Sequence, residues 1–132
     1  MKTEVLVFLA VVLLDQISKF LAPKVGLVIV RNTGIAFGLF PNFCWGLVVL
    51  ILLCLACFNL LRQRNKRYSL TVYYSLVLGG GFSNLFDRFY FGHIRDFIDL
   101  KFWPVFNLAD VAVTCGVLLL LLKQIKVDKK QV

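Results

Sequence analysis

Metal ligands are scarce in this chain. Among its 132 residues there is one histidine, His93, and there are four cysteines. Cys54 and Cys57 form a C-x-x-C pair, but no second pair of ligands accompanies it, and Cys44 and Cys115 are isolated in the sequence. We therefore expect the cysteines to pack as small apolar side chains, and we expect no metal site and no cofactor.

Acidic residues are also few, which makes the position of each one informative. Seven Asp and Glu accompany fifteen Lys and Arg, for a formal net charge of +8. Two acidic residues lie near the chain ends. The other five lie within or at the edge of apolar stretches, at Asp15, Asp87, Asp96, Asp99 and Asp110. A carboxylate at bilayer depth costs roughly 2.5–3.5 kcal/mol on insertion scales, so these aspartates indicate a functional site.

Long apolar stretches predict the fold class. The sequence is 60% hydrophobic, with a mean hydropathy of +0.84. Stretches of about 18 residues or more can cross a hydrocarbon core of roughly 30 Å. The sequence has such stretches at Val5–Ala22, Phe43–Leu61, Leu70–Phe91 and Val105–Leu122. We expect an all-α integral membrane protein with four transmembrane helices, forming a single domain over residues 1–132.

The basic residues predict the orientation of these helices. Lys2, four cations in the linker at 62–67 and four in the tail at 123–130 make nine of the fifteen, all on the side that both termini share. The positive-inside rule makes that side cytoplasmic. The net charge then reflects topology and contact with anionic membrane lipids, and we expect no nucleic acid partner.

The opposite side holds two segments, residues 23–42 and 92–104, both rich in Gly, Pro and aromatic residues. Leu27–Asn32 has a bias toward β-branched residues that is typical of a strand. The residues that follow, Thr33 and Gly34, favour a turn. We therefore expect a small extracytoplasmic β-like segment beside the four helices.

Two Asn–Asp pairs lie near the outer ends of predicted helices. Asn84 and Asp87 are three residues apart on the third apolar stretch, and Asn107 and Asp110 repeat that spacing at the start of the fourth. Side chains three residues apart share a helix face. One such pair commonly holds two helices together, but two pairs on the same side of the membrane predict a single polar pocket.

Two of the aspartates have a cation nearby in the sequence. Asp15 lies four residues before Lys19, so both share a helix face and are expected to form a structural ion pair. Asp87 is followed directly by Arg88 at the expected membrane interface. Each of these two carboxylates therefore has a cation to keep it ionised.

Asp96 and Asp110 have no cation at helical contact spacing. Arg95 adjoins Asp96, but neighbouring side chains diverge on a helix and on a strand. Two carboxylates brought close together do not both ionise easily, so one keeps its proton near neutral pH. Such a pair supplies a base to deprotonate water and an acid to protonate a departing amine, as an aspartic peptidase requires.

The polar motifs resemble those of the bacterial lipoprotein signal peptidases (signal peptidase II). Asp15–Lys19 is similar to the D-x-x-x-K of the family's first helix, and Asn32–Phe37 to its N-x-G-x-A-F segment. Gly79–Arg88 resembles G-G-x-x-G-N-x-x-D-R, Asp96–Phe97 matches D-F, and Phe106–Asp110 matches F-N-x-A-D. Each motif alone is weak, but the five occur in order along nearly the whole chain.

The resemblance implies an aspartic endopeptidase of the bacterial cytoplasmic (inner) membrane. Family members remove signal peptides from diacylglyceryl-modified prolipoproteins and cut just before the lipidated cysteine. The resemblance implies that Asp96 and Asp110 are the catalytic pair, on the outer side. It further implies a frame for substrate binding or structural support, consisting of Asp15, Lys19, Asn32, Asn84, Asp87, Arg88 and Asn107.

Three features depart from the family pattern. Ser83 stands where the family usually has glycine before the asparagine, so we expect helix packing there to be looser by a hydroxymethyl group. The segment between Lys19 and Asn32 is short, and so is the connection from Asp96 to Asp110. We therefore expect a trimmed extracytoplasmic sheet.

Two other functional classes fit part of the pattern. A small four-helix proton-coupled transporter would use one deep carboxylate, Asp15, but it leaves the concentration of Asn and Asp on the outer side unexplained. A non-catalytic membrane assembly factor would use Gly79–Gly81 as a packing surface and would need no carboxylate. Cleavage of a lipidated test peptide by the purified protein in detergent distinguishes the peptidase from both.

The charge distribution leads to a test of topology. Reporter fusions after residue 65 and at the C-terminus should both report a cytoplasmic location, because the linker and the tail carry most of the positive charge. A fusion after residue 100 should report an external location. A cytoplasmic signal from the fusion after residue 100 would contradict the four-span arrangement.

Overall fold

The computed structural model describes residues 2–34 and 68–128. In chain order these residues form helix α1 (Lys2–Leu21), a 3-10 turn (Ala22–Val25), strand β1 (Val30–Asn32), helix α2 (Tyr68–Phe91), strand β2 (Ile94–Asp96) and helix α3 (Leu108–Asp128). The predicted second span, Phe43–Leu61, lies outside the described residues together with Cys44, Cys54 and Cys57, so the count of four helices stays a prediction.

The helices correspond to three of the four apolar stretches. Among the described residues, Thr3–Val25 is the one helical stretch long and apolar enough to cross a membrane, with a mean hydropathy of 2.1. Helix α3 begins at Leu108, three residues after the expected start of the last span. The reason is the side chain of Asn107, which caps the helix and is described below.

The three helices approach each other closely at glycines of α2. A Cβ on Gly79 would lie 3.0 Å from the carbonyl oxygen of Phe8 in α1. A Cβ on Gly80 would collide with the carbonyl oxygen of Ala109 in α3 and would lie 2.8 Å from Val113. Helix α2 therefore packs between α1 and α3 with glycine at both contacts, as small residues allow in membrane helices.

A short antiparallel sheet connects the helix ends. Strand β1 pairs with β2 in the register Val30↔Asp96 and Asn32↔Ile94, and β1 lies within the stretch that favoured a strand. After α2 ends, Gly92 adopts a left-handed conformation with φ of 75°, the usual glycine position just past a helix C-terminus. This turn directs the chain into β2, which carries Asp96.

The buried side chains of the described residues are mostly polar. The apolar ones are Ala22, Ile94 and Ala109. The polar and charged ones are Asp15, Lys19, Thr71, Ser75, Ser83, Asn84, Asp87, Asp96 and Asn107. Large apolar side chains such as those of Leu6 and Leu14 are instead more than half exposed. This distribution is opposite to that of a water-soluble core and fits a protein whose surroundings are lipid.

Candidate active site

Asp110 is held at the start of α3 by a reciprocal cap. The backbone N–H of Asp110 donates to Asn107 Oδ1 (3.0 Å), and the backbone N–H of Asn107 donates to Asp110 Oδ2 (3.2 Å). This is the geometry of a capping box, in which two backbone donors at the helix start find side-chain acceptors. The cap explains why α3 starts at Leu108, and it fixes the carboxylate of Asp110 in the first turn.

Asp96 reaches the same place from β2. Its carboxylate is almost fully buried and accepts hydrogen bonds from the side-chain amides of Asn32 (2.9 Å) and Asn107 (2.6 Å). Asn32 lies on β1, so the pairing of the two strands delivers one of these donors. Asn107 therefore contacts both aspartates, Asp96 through its side chain and Asp110 through its cap.

Asn84 on α2 completes the connection between the Asn–Asp pairs. Its Nδ2 donates to Asp110 Oδ1 (2.8 Å), and its Oδ1 accepts from Asn107 Nδ2 (3.1 Å) and from Lys19 Nζ (3.0 Å). The convergence on one polar cluster that the i,i+3 spacing predicted is therefore present in the structure.

The surroundings of Asp96 act on its pKa in both directions. Burial raises its pKa above the ordinary aspartate value, and the negative charge of Asp110 acts in the same direction. The hydrogen bonds from Asn32 and Asn107 and the charge of Lys19 lower the pKa and oppose this effect in part. The net direction is upward, as expected for two carboxylates that share one buried site.

Asp15 and Lys19 form the expected ion pair, with Lys19 Nζ 2.6 Å from Asp15 Oδ2 and neither side chain exposed. The second oxygen of Asp15 accepts the backbone N–H of Ala109 (2.9 Å). That N–H lies in the first turn of α3, where a helix has no internal acceptor. The Asp15 carboxylate therefore stabilises the start of α3 from α1.

Asp87 has cations other than the expected one. Its carboxylate lies 3.1 Å from Lys19 Nζ and 2.8 Å from a terminal nitrogen of Arg95. Arg88 instead donates to the backbone carbonyl of Gly34, because neighbouring side chains point in different directions around a helix. The charge of Arg88 acts on Asp96 and Asp110.

Gln16 and Arg95 belong to the cluster, although neither was predicted as a site residue. Gln16 Nε2 donates to Asp87 Oδ1 (2.9 Å), and its Oε1 accepts from Arg95 (2.7 Å). Gln16 directly follows Asp15, and Arg95 directly precedes Asp96. Proximity to a motif aspartate was the available signal, but it does not reveal that both residues turn toward Asp87.

Looser helix packing at Ser83 stays a prediction, but the structure gives this side chain a role between two helices. The Ser83 side chain is fully buried, and its hydroxyl donates to Asp15 Oδ2 (2.6 Å) and accepts from Gln16 Nε2 (2.8 Å). The hydroxyl therefore connects α2 to two residues of α1. The atoms that serine has and glycine lacks therefore add hydrogen bonds across the contact.

Asp99 is not part of the cluster. Its side chain is 41% exposed and pairs with Lys101 at 2.8 Å. Hydrogen bonds from the side chain and backbone of Lys101 lower the pKa of Asp99 below its ordinary value. A low pKa and an exposed ion pair are typical of a solvated surface aspartate.

The sequence matches the model of a known protein family over most of its length. The family is described as signal peptidase (SPase) II, and the match covers residues 7–126. The lipoprotein signal peptidase of Syntrophomonas wolfei is 41% identical over 87% of both chains. The lipoprotein signal peptidase of Thermodesulfovibrio yellowstonii is 37% identical over 95% of both chains.

Solved structures share the fold. A bacterial membrane enzyme determined by the in meso method superposes with a TM-score of 0.80 at 26% identity, covering 96% of this chain and 89% of the other. A second bacterial membrane enzyme determined in the same way gives a TM-score of 0.76 at 24% identity, covering 96% and 94%. The helices and strands described above are therefore arranged as in bacterial membrane enzymes.

The hydroxyl of Ser83 can be tested by substitution. Ser83→Ala removes a hydrogen bond to a buried carboxylate, an interaction that contributes about 1.5–3 kcal/mol. We therefore expect the free energy of unfolding in detergent to be lower in Ser83→Ala by about that amount. Ser18→Ala is the control, because the hydroxyl of Ser18 donates to the backbone carbonyl of Asp15 in its own helix (2.8 Å) and not to a carboxylate. Equal losses in both variants would contradict a specific role for Ser83.

Proposed function

The chain belongs to the signal peptidase II family, and we propose that it cleaves its substrates with a pair of aspartates, Asp96 and Asp110. It is a protease of a bacterial membrane, and it removes signal peptides from prolipoproteins. We propose further that the substrate carries a diacylglyceryl-modified cysteine and that the cut falls just before it. The lipid chains would remain in the bilayer and present the scissile bond at the interface.

One observation carries the choice of the catalytic pair. Among the described aspartates of the cluster, Asp15 and Asp87 lie within ion-pair distance of a cation. Asp96 and Asp110 are held by the amides of asparagines instead. A carboxylate bound to a cation stays ionised, whereas two adjacent carboxylates held by neutral donors can share one proton.

The shared proton supports the following chemistry. The ionised member of the pair takes a proton from a water molecule, whose oxygen attacks the scissile carbonyl carbon. The protonated member gives its proton to the nitrogen of the departing amine as the carbon–nitrogen bond breaks. The proton taken from water remains on the first carboxyl, so the pair ends the cycle with one proton, as it began.

The remaining predicted residues form the proposed support of this pair. Asn32, Asn84 and Asn107 donate to the two carboxylates and orient them. The charged members, Asp15, Lys19, Asp87 and Arg88, lie around these amides or act on the pair through their charge. We propose that none of the charged members exchanges a proton with substrate.

The arrangement in the membrane is part of the proposal. We propose a single multi-pass domain over residues 1–132, with both termini cytoplasmic and the pocket toward the outer face. Membrane lipids would surround the exposed apolar side chains. We propose that the reaction uses no metal and no cofactor, and that the protein has no nucleic acid partner.

The proton-coupled transporter is not favoured. It would use Asp15 as a carboxyl that loses and regains a proton during transport. Asp15 is instead bound to Lys19, to the hydroxyl of Ser83 and to the backbone of Ala109. Protonation of this carboxyl would disrupt the contact of all three helices, so Asp15 is better suited to a structural role.

Substitution of the catalytic pair tests the proposal. Asp96→Asn and Asp110→Asn should each abolish cleavage of a diacylglyceryl-modified peptide, because either change removes one of the two proton-transfer groups. The double variant should be scarcely slower than either single variant, since the two residues act as a unit. Asp99→Asn is the control and should retain activity, because Asp99 lies outside the cluster.

Folding of each variant is checked by thermal unfolding in detergent. Asparagine keeps the shape of aspartate and removes a buried charge, so we expect folded protein. Turnover near the wild-type rate by folded Asp96→Asn protein would contradict the proposal and would show that another carboxylate takes part in the reaction.

The raised pKa of Asp96 predicts a bell-shaped dependence of kcat on pH. Well below the ordinary aspartate pKa of about 3.9, both carboxyls are protonated and no base remains. As the pH rises through the raised pKa of Asp96, the last shared proton is lost and no acid remains. We expect kcat to fall on both sides of an optimum. A kcat that stays constant as the pH rises, in protein that remains folded, would contradict the shared proton.

A further inference from the structure

Arg95 adjoins the proposed catalytic Asp96, yet the side-chain hydrogen bonds that the structure describes for it go to Asp87 and Gln16. Its guanidinium contacts Asp87 through both carboxylate oxygens, at 2.8 Å and 3.2 Å. Its backbone N–H also donates to Asp87 (3.0 Å). One buried carboxylate on α2 therefore holds both the main chain and the side chain of the residue before Asp96.

Gln16 closes this contact from α1. Arg95 donates to Gln16 Oε1 (2.7 Å), and Gln16 Nε2 donates to the same carboxylate of Asp87 (2.9 Å). The guanidinium also lies over the ring of Phe91, 4.1 Å from its centroid. Three residues from three elements thus form a closed ring of hydrogen bonds, with an aromatic ring supporting the cation.

We propose that Arg95 is a positioning residue that sets the direction and depth of Asp96 relative to Asp110. Successive side chains on a strand point to opposite faces. Fixing the side chain of Arg95 against α1 and α2 therefore directs the carboxylate of Asp96 toward Asn107 and the start of α3. The inference rests on the proposed catalytic role of Asp96.

The sheet alone does not provide this placement. Strand β2 has three residues and pairs with one other short strand, β1. Such a two-stranded ribbon is weakly stable and twists easily. With Arg95 bound, the strand is joined to α1 and α2 beside the catalytic residue. Without the contacts of Arg95, pairing with β1 and burial of Ile94 would still hold β2 in a strand. Its position relative to α1 and α2 would be less well fixed.

The charge of Arg95 matters as well as its shape. The described charged groups near Arg95 or the proposed catalytic pair are Asp15 and Lys19 from α1, Asp87 and Arg88 from α2, and Arg31 from β1, which is the cross-strand neighbour of Arg95. Lys19 is shared between two carboxylates, so it balances only one of them. Arg95 balances the other, and its loss leaves an uncompensated negative charge on Asp87, whose carboxylate accepts the backbone N–H of the residue before Asp96.

Two substitutions separate geometry from charge. Arg95→Lys keeps the cation but has no planar fork, so it cannot bind both oxygens of Asp87 and Gln16 together. Arg95→Gln removes the charge as well. We expect kcat for a diacylglyceryl-modified peptide to fall on the order of 10-fold in Arg95→Lys and on the order of 100-fold in Arg95→Gln. KM should change by less than about 3-fold, since positioning acts on the chemical step.

The pH dependence gives a second readout. In Arg95→Gln the additional negative charge disfavours loss of the shared proton, so the alkaline limb of kcat should move to higher pH. In Arg95→Lys that limb should stay near its wild-type position. A merely structural role would reduce the amount of folded enzyme and would leave the limb unchanged in both variants.

Lys101→Gln is the matched control. It breaks an ion pair of the same length, 2.8 Å to Asp99, in an exposed position on the same outer segment. Its kcat should equal that of the wild type. If Arg95→Gln does not fold, Arg95→Lys decides: wild-type kcat in that variant overturns the positioning role.

These experiments distinguish an error in the positioning role of Arg95 from an error in the proposed catalytic role of Asp96. If Asp96→Asn is inactive while both Arg95 variants keep the wild-type kcat, the positioning role alone is wrong. If folded Asp96→Asn protein is active, the catalytic role of Asp96 is wrong, and the positioning role falls with it.

Discussion

The burial of one ammonium group between two carboxylates is the constraint on which the rest of the structure depends. Lys19 Nζ lies 2.6 Å from Asp15 and 3.1 Å from Asp87, and none of these side chains is exposed. Breaking such a buried pair leaves an uncompensated charge and costs about 3–5 kcal/mol. Helices α1 and α2 therefore stay in the one register that brings the three groups together. Gly79 permits the close backbone contact that this register requires.

The same constraint positions the third helix. Asp15 uses its second oxygen to accept the backbone N–H of Ala109, and Gly80 lets the backbone of α3 approach α2 at that residue. The start of α3 is thereby joined to the ion pair. Because Asp110 caps the same helix start through Asn107, its carboxylate is placed by the contacts that hold the helices together.

Contacts within one segment could be predicted from the sequence, whereas most contacts between segments could not. The spacing of Asp15 and Lys19 predicted their ion pair, because a helix brings residues i and i+4 onto one face. The partner of Asp87 was predicted as Arg88, but its partners are instead Lys19 of another helix and Arg95, which reaches it through the turn after α2. The hydrogen bonds of Ser83 likewise depend on the close approach of two helices, and no spacing within one helix contains that information.

The two kinds of support explain how four carboxyl groups lie in a small volume and yet differ in their preferred protonation state. Cations hold Asp15 and Asp87, and a cation stabilises only the ionised form of a carboxyl. Asparagine amides hold Asp96 and Asp110. An amide is a weaker electrostatic partner than a cation, and after reorientation its carbonyl oxygen can accept a hydrogen bond from the O–H of a protonated carboxyl. Lys19 donates to Asn84 rather than to Asp110, so an amide lies between the ammonium group and the proposed catalytic pair. In the proposed mechanism, the cation therefore orders the site and still leaves one carboxyl able to keep a proton.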